Sequence, residues 1–218
     1  LAQQADKVAL ADRGLLHGLP MALKDAVETV GFPTTWGFKP FAARIATADN
    51  ALAARLRAAG ALFIGHTNMP EFGFGSNTFN SVFGTTLNPY NTSKTAGGSS
   101  GGAAVALATK MLPLADGSDL GGSLRNPASF CNVVGFRPSI GRMPFSRSFA
   151  WYGRMVTTGP MAKTVRDTTL LFTVMAGPDP ADPLTLSEPG HSFFDALEPH
   201  KESAKLQIAM SKDLGCLE

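Results

Sequence analysis

Residues 116–125 read DGSDLGGSLR, in which a glycine pair directly precedes Ser123. Glycines adopt backbone conformations that side chains forbid, so Gly121 and Gly122 allow close approach to the main chain. Successive N–H groups there can form an anion-binding concavity. A hydroxyl at Ser123 beside it would suit acyl transfer, because the N–H groups could hold a developing oxyanion. Taken alone, however, the motif favours a glycine turn with Ser123 as an ordinary helix N-cap.

A second motif, GGSSGG at residues 97–102, places two serines between glycine pairs. It could be no more than a cap on the alanine-rich segment that follows. It also fits the G-x-S-x-G nucleophile elbow, which requires a hydrophobic strand just before it. Residues 88–96 read NPYNTSKTA and do not resemble a strand, so the sequence argues against an elbow.

The third motif, LHGLPMALKD at residues 16–25, contains a lysine within an apolar run. Lysine is rarely buried without a partner, so an edge position or an ion pair with Asp25 or Asp119 is the ordinary explanation for Lys24. The functional explanation is a desolvated lysine that becomes neutral and acts as a base. Its pKa would then have to fall from about 10.4 by roughly three units.

The periodicity and the positions of glycine and proline predict a mixed α/β chain. Helices are predicted at residues 1–12, 49–59, 100–111, 123–131 and 164–176, with Asp49 or Asn50 capping the second. Strands are predicted at residues 21–27, 61–65, 112–115 and 206–210. A long polar loop is expected at 68–98, a glycine-rich turn at 117–122 and a surface loop at 178–189.

The composition argues against several classes of protein, including nucleic-acid-binding, disulfide-rich and zinc-binding proteins. The chain has 218 residues, enough for one domain with a sizeable core, and 44% of them are hydrophobic. The net charge is +2 without a run of Lys or Arg, so nothing indicates nucleic-acid binding. Neither a disulfide framework nor zinc-ligand spacing is present, since the only cysteines are Cys131 and Cys216.

No apolar run reaches membrane-spanning length, because Arg55 and Arg57 interrupt the best candidate at residues 51–64. No signal peptide is visible, although the chain opens on Leu1, so a processed or missing N-terminus stays open. Low cysteine usage then predicts a cytoplasmic protein.

Together the three motifs resemble the amidase-signature family of amide hydrolases, over about residues 16–167. A fourth piece, GPMAKTVRD at residues 159–167, resembles the family's downstream helix entry. The resemblance implies a Ser–cis-Ser–Lys triad in which Ser123 is the nucleophile, Ser99 the relay and Lys24 the base. It also implies a cis peptide bond between Gly98 and Ser99.

Further site residues follow from the same resemblance. The N–H groups of Leu120, Gly121 and Gly122 would form the oxyanion hole, and the backbone of Gly73 would line the substrate site. Asp119 and Arg125 would brace the loop rather than do chemistry. No metal or cofactor is implied, and the partner is a small-molecule amide.

The resemblance implies a mixed β-sheet core wrapped by α-helices. The family domain is about twice as long, so residues 1–218 are expected to be one domain, the N-terminal half to two-thirds of a longer chain. A strand at 206–210, followed by no pairing partner, is consistent with that. Whether the protein forms a homodimer stays open.

Several alternatives remain. One is the glutamine-hydrolysing subunit of a tRNA-dependent amidotransferase, which typically carries Ser-Leu-Asp-Gln before its Gly-Pro. Residues 152–158 here read YGRMVTT, so this hypothesis ranks second. Three aromatic residues suggest that the substrate carries an apolar or aryl substituent: Phe149, Trp151 and Tyr152. Ordinary packing explains these residues equally well.

Other hydrolase classes fit less well. No serine has a lysine three positions on, which excludes the Ser-x-x-Lys class. A Ser-His-Asp enzyme would use one of four histidines, His17, His66, His191 or His200, of which the first two look structural. A non-catalytic binding protein of the same fold is the remaining alternative, and a phosphate-binding loop is not present.

Overall fold

The computed structural model describes residues 1–144, 155–197, 209–211 and 215. Two sheets carry the fold within these residues. In the first, β1 (Pro20–Lys24) pairs in parallel with β2 (Leu62–Thr67). In the second, β5 (Leu114–Asp119) pairs antiparallel with β7 (Thr157–Ala162), which also pairs with β6 (Val134–Gly135). A small hairpin joins β3 (Phe79–Asn80) to β4 (Gly84–Thr85).

The helices surround these sheets, as a mixed α/β fold requires. They are α1 (Ala2–Ala5), α2 (Ala51–Ala58), α3 (Gly101–Ala108), α4 (Arg125–Phe130), α5 (Val165–Met175) and α6 (Ser192–Asp195). Single 3₁₀ turns lie at Leu10–Asp12, Lys39–Phe41 and Glu71–Gly73. None of the helices in the described ranges is long and apolar enough to cross a membrane.

The two best-defined helices begin at the side chains that predict them. Asn50 caps α2, because its Oδ1 accepts a hydrogen bond from the Ala53 N–H at 2.9 Å. Gly60, with φ +89°, follows the C-terminus of that helix in the left-handed conformation that glycine favours. Thr164 caps α5 by accepting from the Asp167 N–H at 3.1 Å. Both predicted helices are therefore confirmed to within two residues.

Two hydrophobic clusters form the core. The first joins β1 and β2 to α2 and α5 through buried residues such as Leu23, Leu56 and Leu171. The second packs α3 against β5 through Ala103, Leu107 and other small or branched residues. Lys24, the last residue of β1, lies where the two sheets meet, because its backbone N–H and its Nζ both donate to side chains of β5.

Strand β5 extends through the segment where glycine content predicts a turn, so that prediction was wrong for residues 117–119. The ladder with β7 continues to Asp119, and Gly117 lies opposite Gly159. Pairing here overrides the weak strand propensity of glycine. A Cβ on Gly117 would lie 2.5 Å from Leu124 Cδ2 and 2.7 Å from Ser100 Oγ, so the close approach requires glycine.

Other differences have local causes. The predicted strand 21–27 ends at Lys24, whose carbonyl accepts from the N–H groups of Ala26 and Val27 in a turn. The predicted N-terminal helix is reduced to α1 and one 3₁₀ turn, neither of which buries a residue, and most helix stability in proteins comes from packing. Of the predicted strand 206–210, residues 206–208 lie outside the described residues.

Candidate active site

Lys24 is buried at the end of β1, with 1% of its surface exposed. Its Nζ donates hydrogen bonds to three hydroxyls: Ser99 Oγ at 2.7 Å, Ser118 Oγ at 2.9 Å and Ser100 Oγ at 3.0 Å. Burial lowers the pKa of Lys24 to about 7, against the opposing effect of the Asp116 and Asp119 charges. An amine with this pKa can accept a proton near neutral pH.

The two serines of the glycine-serine block lie immediately before α3 and are both buried. The peptide bond between Gly98 and Ser99 is cis, as the resemblance implies. Ser100 connects this block to the loop that carries Ser123, because its N–H donates to the Ser123 carbonyl at 3.2 Å. Its Oγ also accepts from the Ser118 N–H at 3.2 Å.

Asp119 organises the loop that carries Ser123. Its carboxylate accepts from the Gly122 N–H at 2.7 Å and the Leu124 N–H at 3.1 Å. The Arg125 guanidinium donates to both carboxylate oxygens, at 3.0 and 3.1 Å. Burial alone would raise the pKa of this carboxyl, but these hydrogen bonds outweigh burial and lower it to about 2. Asp119 therefore stays ionised and braces the loop, as predicted.

The three N–H groups predicted to form the oxyanion hole differ in whether they already donate a hydrogen bond. The Gly122 N–H is already donated to Asp119 Oδ1. The N–H groups of Leu120 and Gly121 make no hydrogen bond to any other described residue, and both residues are exposed. These two groups are therefore the available donors beside Ser123.

The Ser123 side chain is partly exposed. Its hydroxyl makes no hydrogen bond within residues 1–144 and 155–197, so a direct Ser99–Ser123 link is not formed in this part of the structure. Gly73 lies close to Ser99, since a Cβ built on it would be 3.8 Å from Ser99 Oγ. The structure thus brings Lys24, Ser99 and Gly73 together and joins Ser123 to them through the Ser100 backbone.

One histidine has the partners of a Ser-His-Asp arrangement but not its geometry. His66 Nδ1 is 3.2 Å from Asp25 Oδ1, and its Nε2 is 3.3 Å from Thr29 Oγ1. Thr29 is fully buried and its hydroxyl donates to the Val27 carbonyl, so no accessible nucleophile faces the ring. His17 and His191 make no side-chain hydrogen bond to a described serine, and His200 lies outside the described residues.

The amidase family model matches residues 1–218. The chain belongs to the amidase family.

Among curated relatives, the chain is 43% identical over 202 residues to an acylamidase of Rhodococcus erythropolis, covering 93% of this chain and 42% of the relative. It is 45% identical over 199 residues to a glutamyl-tRNA(Gln) amidotransferase subunit of Thermus thermophilus, covering 91% and 41%. A solved bacterial aryl acylamidase of the amidase-signature family superposes with a TM-score of 0.77 at 40% identity, covering 81% of this chain and 37% of that one. The chain therefore spans about two fifths of the length of the curated relatives it matches.

Three residues of this amidase-family site make contacts that the sequence motifs did not predict. Ser100 and Ser118 bind the lysine amine, and Asp116 Oδ1 accepts the Lys24 backbone N–H at 2.8 Å. The signal for the last two is strand alternation, which places residues 116 and 118 on one face of β5. The aromatic residues suggested for substrate binding, Phe149, Trp151 and Tyr152, lie outside the described residues.

No cluster of three or more metal-ligating side chains occurs among the residues whose positions are described.

Proposed function

We propose that this protein hydrolyses a carboxylic amide to a carboxylate and an amine or ammonia through a seryl acyl-enzyme. The observation that carries the proposal is the Lys24 amine, which is buried, has a pKa of about 7 and lies 2.7 Å from Ser99 Oγ. A base of this kind can activate a serine at neutral pH. The family match supports the same chemistry.

In the first step, neutral Lys24 Nζ takes the Ser99 hydroxyl proton while Ser99 Oγ takes the Ser123 hydroxyl proton. Ser123 Oγ then attacks the amide carbonyl carbon. This relay requires the Ser123 hydroxyl to turn toward Ser99 Oγ. Rotamer changes of partly exposed side chains are fast compared with catalysis.

In the second step, the tetrahedral oxyanion is held by backbone N–H groups. Leu120 and Gly121 provide the unoccupied donors, and Gly122 contributes if its N–H leaves the Asp119 carboxylate. Removing one such donor typically costs about 10²–10³ in rate. The protonated lysine returns its proton through Ser99 to the departing nitrogen, and the C–N bond breaks.

In the third step, water attacks the acyl-enzyme by the same relay, and Ser123 regains its proton. Gly73 leaves space beside Ser99 for the substrate, because a Cβ there would point toward the relay hydroxyl. The substrate is a small-molecule amide. The cytoplasmic location and the single-domain boundaries within a longer chain stay predictions, and homodimer formation stays open.

A second candidate is hydrolysis of glutamine within an amidotransferase. The specific observation in its favour is the 45% identity to the Thermus thermophilus amidotransferase subunit. The same relay would then release ammonia from the glutamine side chain. The YGRMVTT stretch at 152–158 is the sequence feature against it.

The test is an assay of the full-length protein for amine release from an acyl p-nitroanilide, an aliphatic primary amide and glutamine. Ser123→Ala is the control and should lose at least about 10³-fold of the turnover. Turnover of glutamine alone would favour the second candidate. No turnover of any amide by the folded protein would contradict both and favour a binding protein.

A further inference from the structure

One buried ionisable group has no part in the relay described above. Asp116, in the middle of β5, is fully buried. Its Oδ1 accepts the Lys24 backbone N–H at 2.8 Å, whereas its Oδ2 is buried without a hydrogen-bond partner among the described residues. A buried carboxylate oxygen without a hydrogen-bond donor lowers the stability of the folded state. The hydrogen bond at Oδ1 has a structural role, but no structural role accounts for the buried Oδ2.

The Oδ1 contact joins two sheets that are not otherwise paired. β1 pairs with β2, and β5 pairs with β7, but no ladder connects β1 to β5 among the described residues. The Asp116 carboxylate therefore accepts the Lys24 backbone N–H in place of the backbone carbonyl that would accept it in a β-ladder. This contact sets the position of the Lys24 backbone relative to Ser118, two residues further along the same face of β5.

The same carboxylate acts on the lysine amine through its charge. Burial raises the pKa of Asp116 to about 6, despite the Lys24 backbone hydrogen bond and the Lys24 and His66 charges, which oppose this rise. Conversely, the ionised Asp116 carboxylate opposes the lowering of the Lys24 pKa. The charge of each group therefore affects the pKa of the other, and their titrations near neutral pH are coupled.

Among the residues that the structure describes, few other charged groups lie near the pair. Asp119 faces Lys24 from the end of β5, and His66 of β2 faces Asp116 and is paired with Asp25. The neighbouring α3 and β7 contain no ionisable side chain. In α5, Arg166 and Asp167 lie in the first turn, where Asp167 is bonded to Thr164.

The geometry points to Asp116 as a positioning residue for the lysine base: its Oδ1 anchors the Lys24 backbone between the sheets, and its charge resists loss of the Nζ proton. This inference rests on the proposed function for its catalytic meaning. The ionisation of Lys24 can nevertheless be measured without any turnover.

The decisive variant is Asp116→Asn, which keeps an acceptor oxygen for the Lys24 N–H and removes the charge. In protein labelled with ¹³C at the lysine ε carbon, the Lys24 resonance is assigned by its loss in Lys24→Met. We expect its titration midpoint to fall by about one pH unit in Asp116→Asn. Asp12→Asn, which removes one exposed carboxylate outside the two strands that carry this pair, should leave the midpoint unchanged. An unchanged midpoint in Asp116→Asn would overturn the inference.

The anchoring of the Lys24 backbone by Asp116 can be tested separately through the acylation rate. If amide acylation is measured against pH, the acid limb in Asp116→Asn should move to lower pH together with the Lys24 resonance. Asp116→Ala, which also removes the acceptor, should reach a plateau about tenfold below that of Asp116→Asn. Equal plateaus would contradict the anchoring role. A shifted resonance without any acylation would instead count against the proposed function alone.

A measurement on the wild type covers the case in which the variants do not fold. With ¹³C at the lysine ε and aspartate γ carbons, Lys24 and Asp116 should each show two inflections at shared midpoints, as coupled sites do. A single, unshared inflection at Lys24 would contradict the inference.

Discussion

At the scale of single residues, the surroundings of Lys24 Nζ explain how a buried amine can change its protonation state. The three groups around it are hydroxyls of Ser99, Ser100 and Ser118. A hydroxyl accepts from an ammonium and can equally donate to a neutral amine. The set therefore solvates both forms, whereas a carboxylate in the same place would favour only the charged form.

This chemistry predicts the pH dependence of acylation. The Lys24 pKa is lowered to about 7, so the amine is protonated below that pH and neutral above it. Acylation of Ser123 should rise up to about tenfold per pH unit below pH 7 and level off above about pH 8. The measurement is the second-order rate of labelling with an amide-like or fluorophosphonate acylating reagent between pH 5 and 9. A profile that is flat across this range would remove Lys24 from the role of base.

At the scale of secondary structure, β5 marks the limit of what the sequence could predict. The helices α2 and α5 are predictable because their caps, Asn50 and Thr164, are local signals. The full extent of β5 is not, because GSD at residues 117–119 has low strand propensity and its ladder partner lies about forty residues away. Because this part of the strand was not predicted, the sequence does not show that Asp116 and Ser118 lie on the same face of it.

Strand β7 was missed for a related reason. Residues 159–160 are Gly-Pro, and proline within a strand argues against a paired position. In the structure Pro160 lies opposite Asp116, and its carbonyl accepts from the Phe136 N–H at 3.1 Å. Tertiary pairing on both sides of β7 outweighs the local signal. The triad prediction rests on local motifs, whereas the contacts of Asp116 depend on this pairing, which no local motif indicates.

The cap of α2 gives a prediction for one element. Asn50→Ala removes the acceptor for the Ala53 N–H and should lower the free energy of unfolding by about 1 kcal/mol. Asn50→Asp keeps an acceptor oxygen at the same helix end and should retain most of that stability. Urea unfolding followed by circular dichroism measures both variants. An Asn50→Ala protein as stable as the wild type would show that the cap contributes nothing.

At the scale of the whole molecule, the site lies where the two hydrophobic clusters and the two sheets come together. Lys24 belongs to β1 of the first sheet, and its partners Ser118 and Asp116 belong to β5 of the second. Folding of both sheets is thus needed to bury the amine. The low pKa of Lys24 is consequently linked to global stability.

The sign of that linkage is fixed by the lowered pKa. Lys24 has a folded pKa of about 7, below the usual value of 10.5 that applies when the chain is unfolded. Between these values the unfolded state binds more protons, so this group's contribution to stability rises with pH. Relative to Lys24→Met, the wild type should gain about 1.4 kcal/mol of unfolding free energy per pH unit between pH 8 and 10. Parallel stability curves for the two proteins would contradict the buried-amine assignment.

Intact-mass labelling of the full-length protein with a fluorophosphonate tests the proposed triad directly. Wild type is compared with Ser123→Ala, Ser99→Ala and Lys24→Ala, and the labelled peptide is mapped. We expect one adduct on Ser123, absent in Ser123→Ala and strongly slowed in the other two variants. No adduct on the folded wild type, or undiminished labelling of Ser123→Ala, would contradict it.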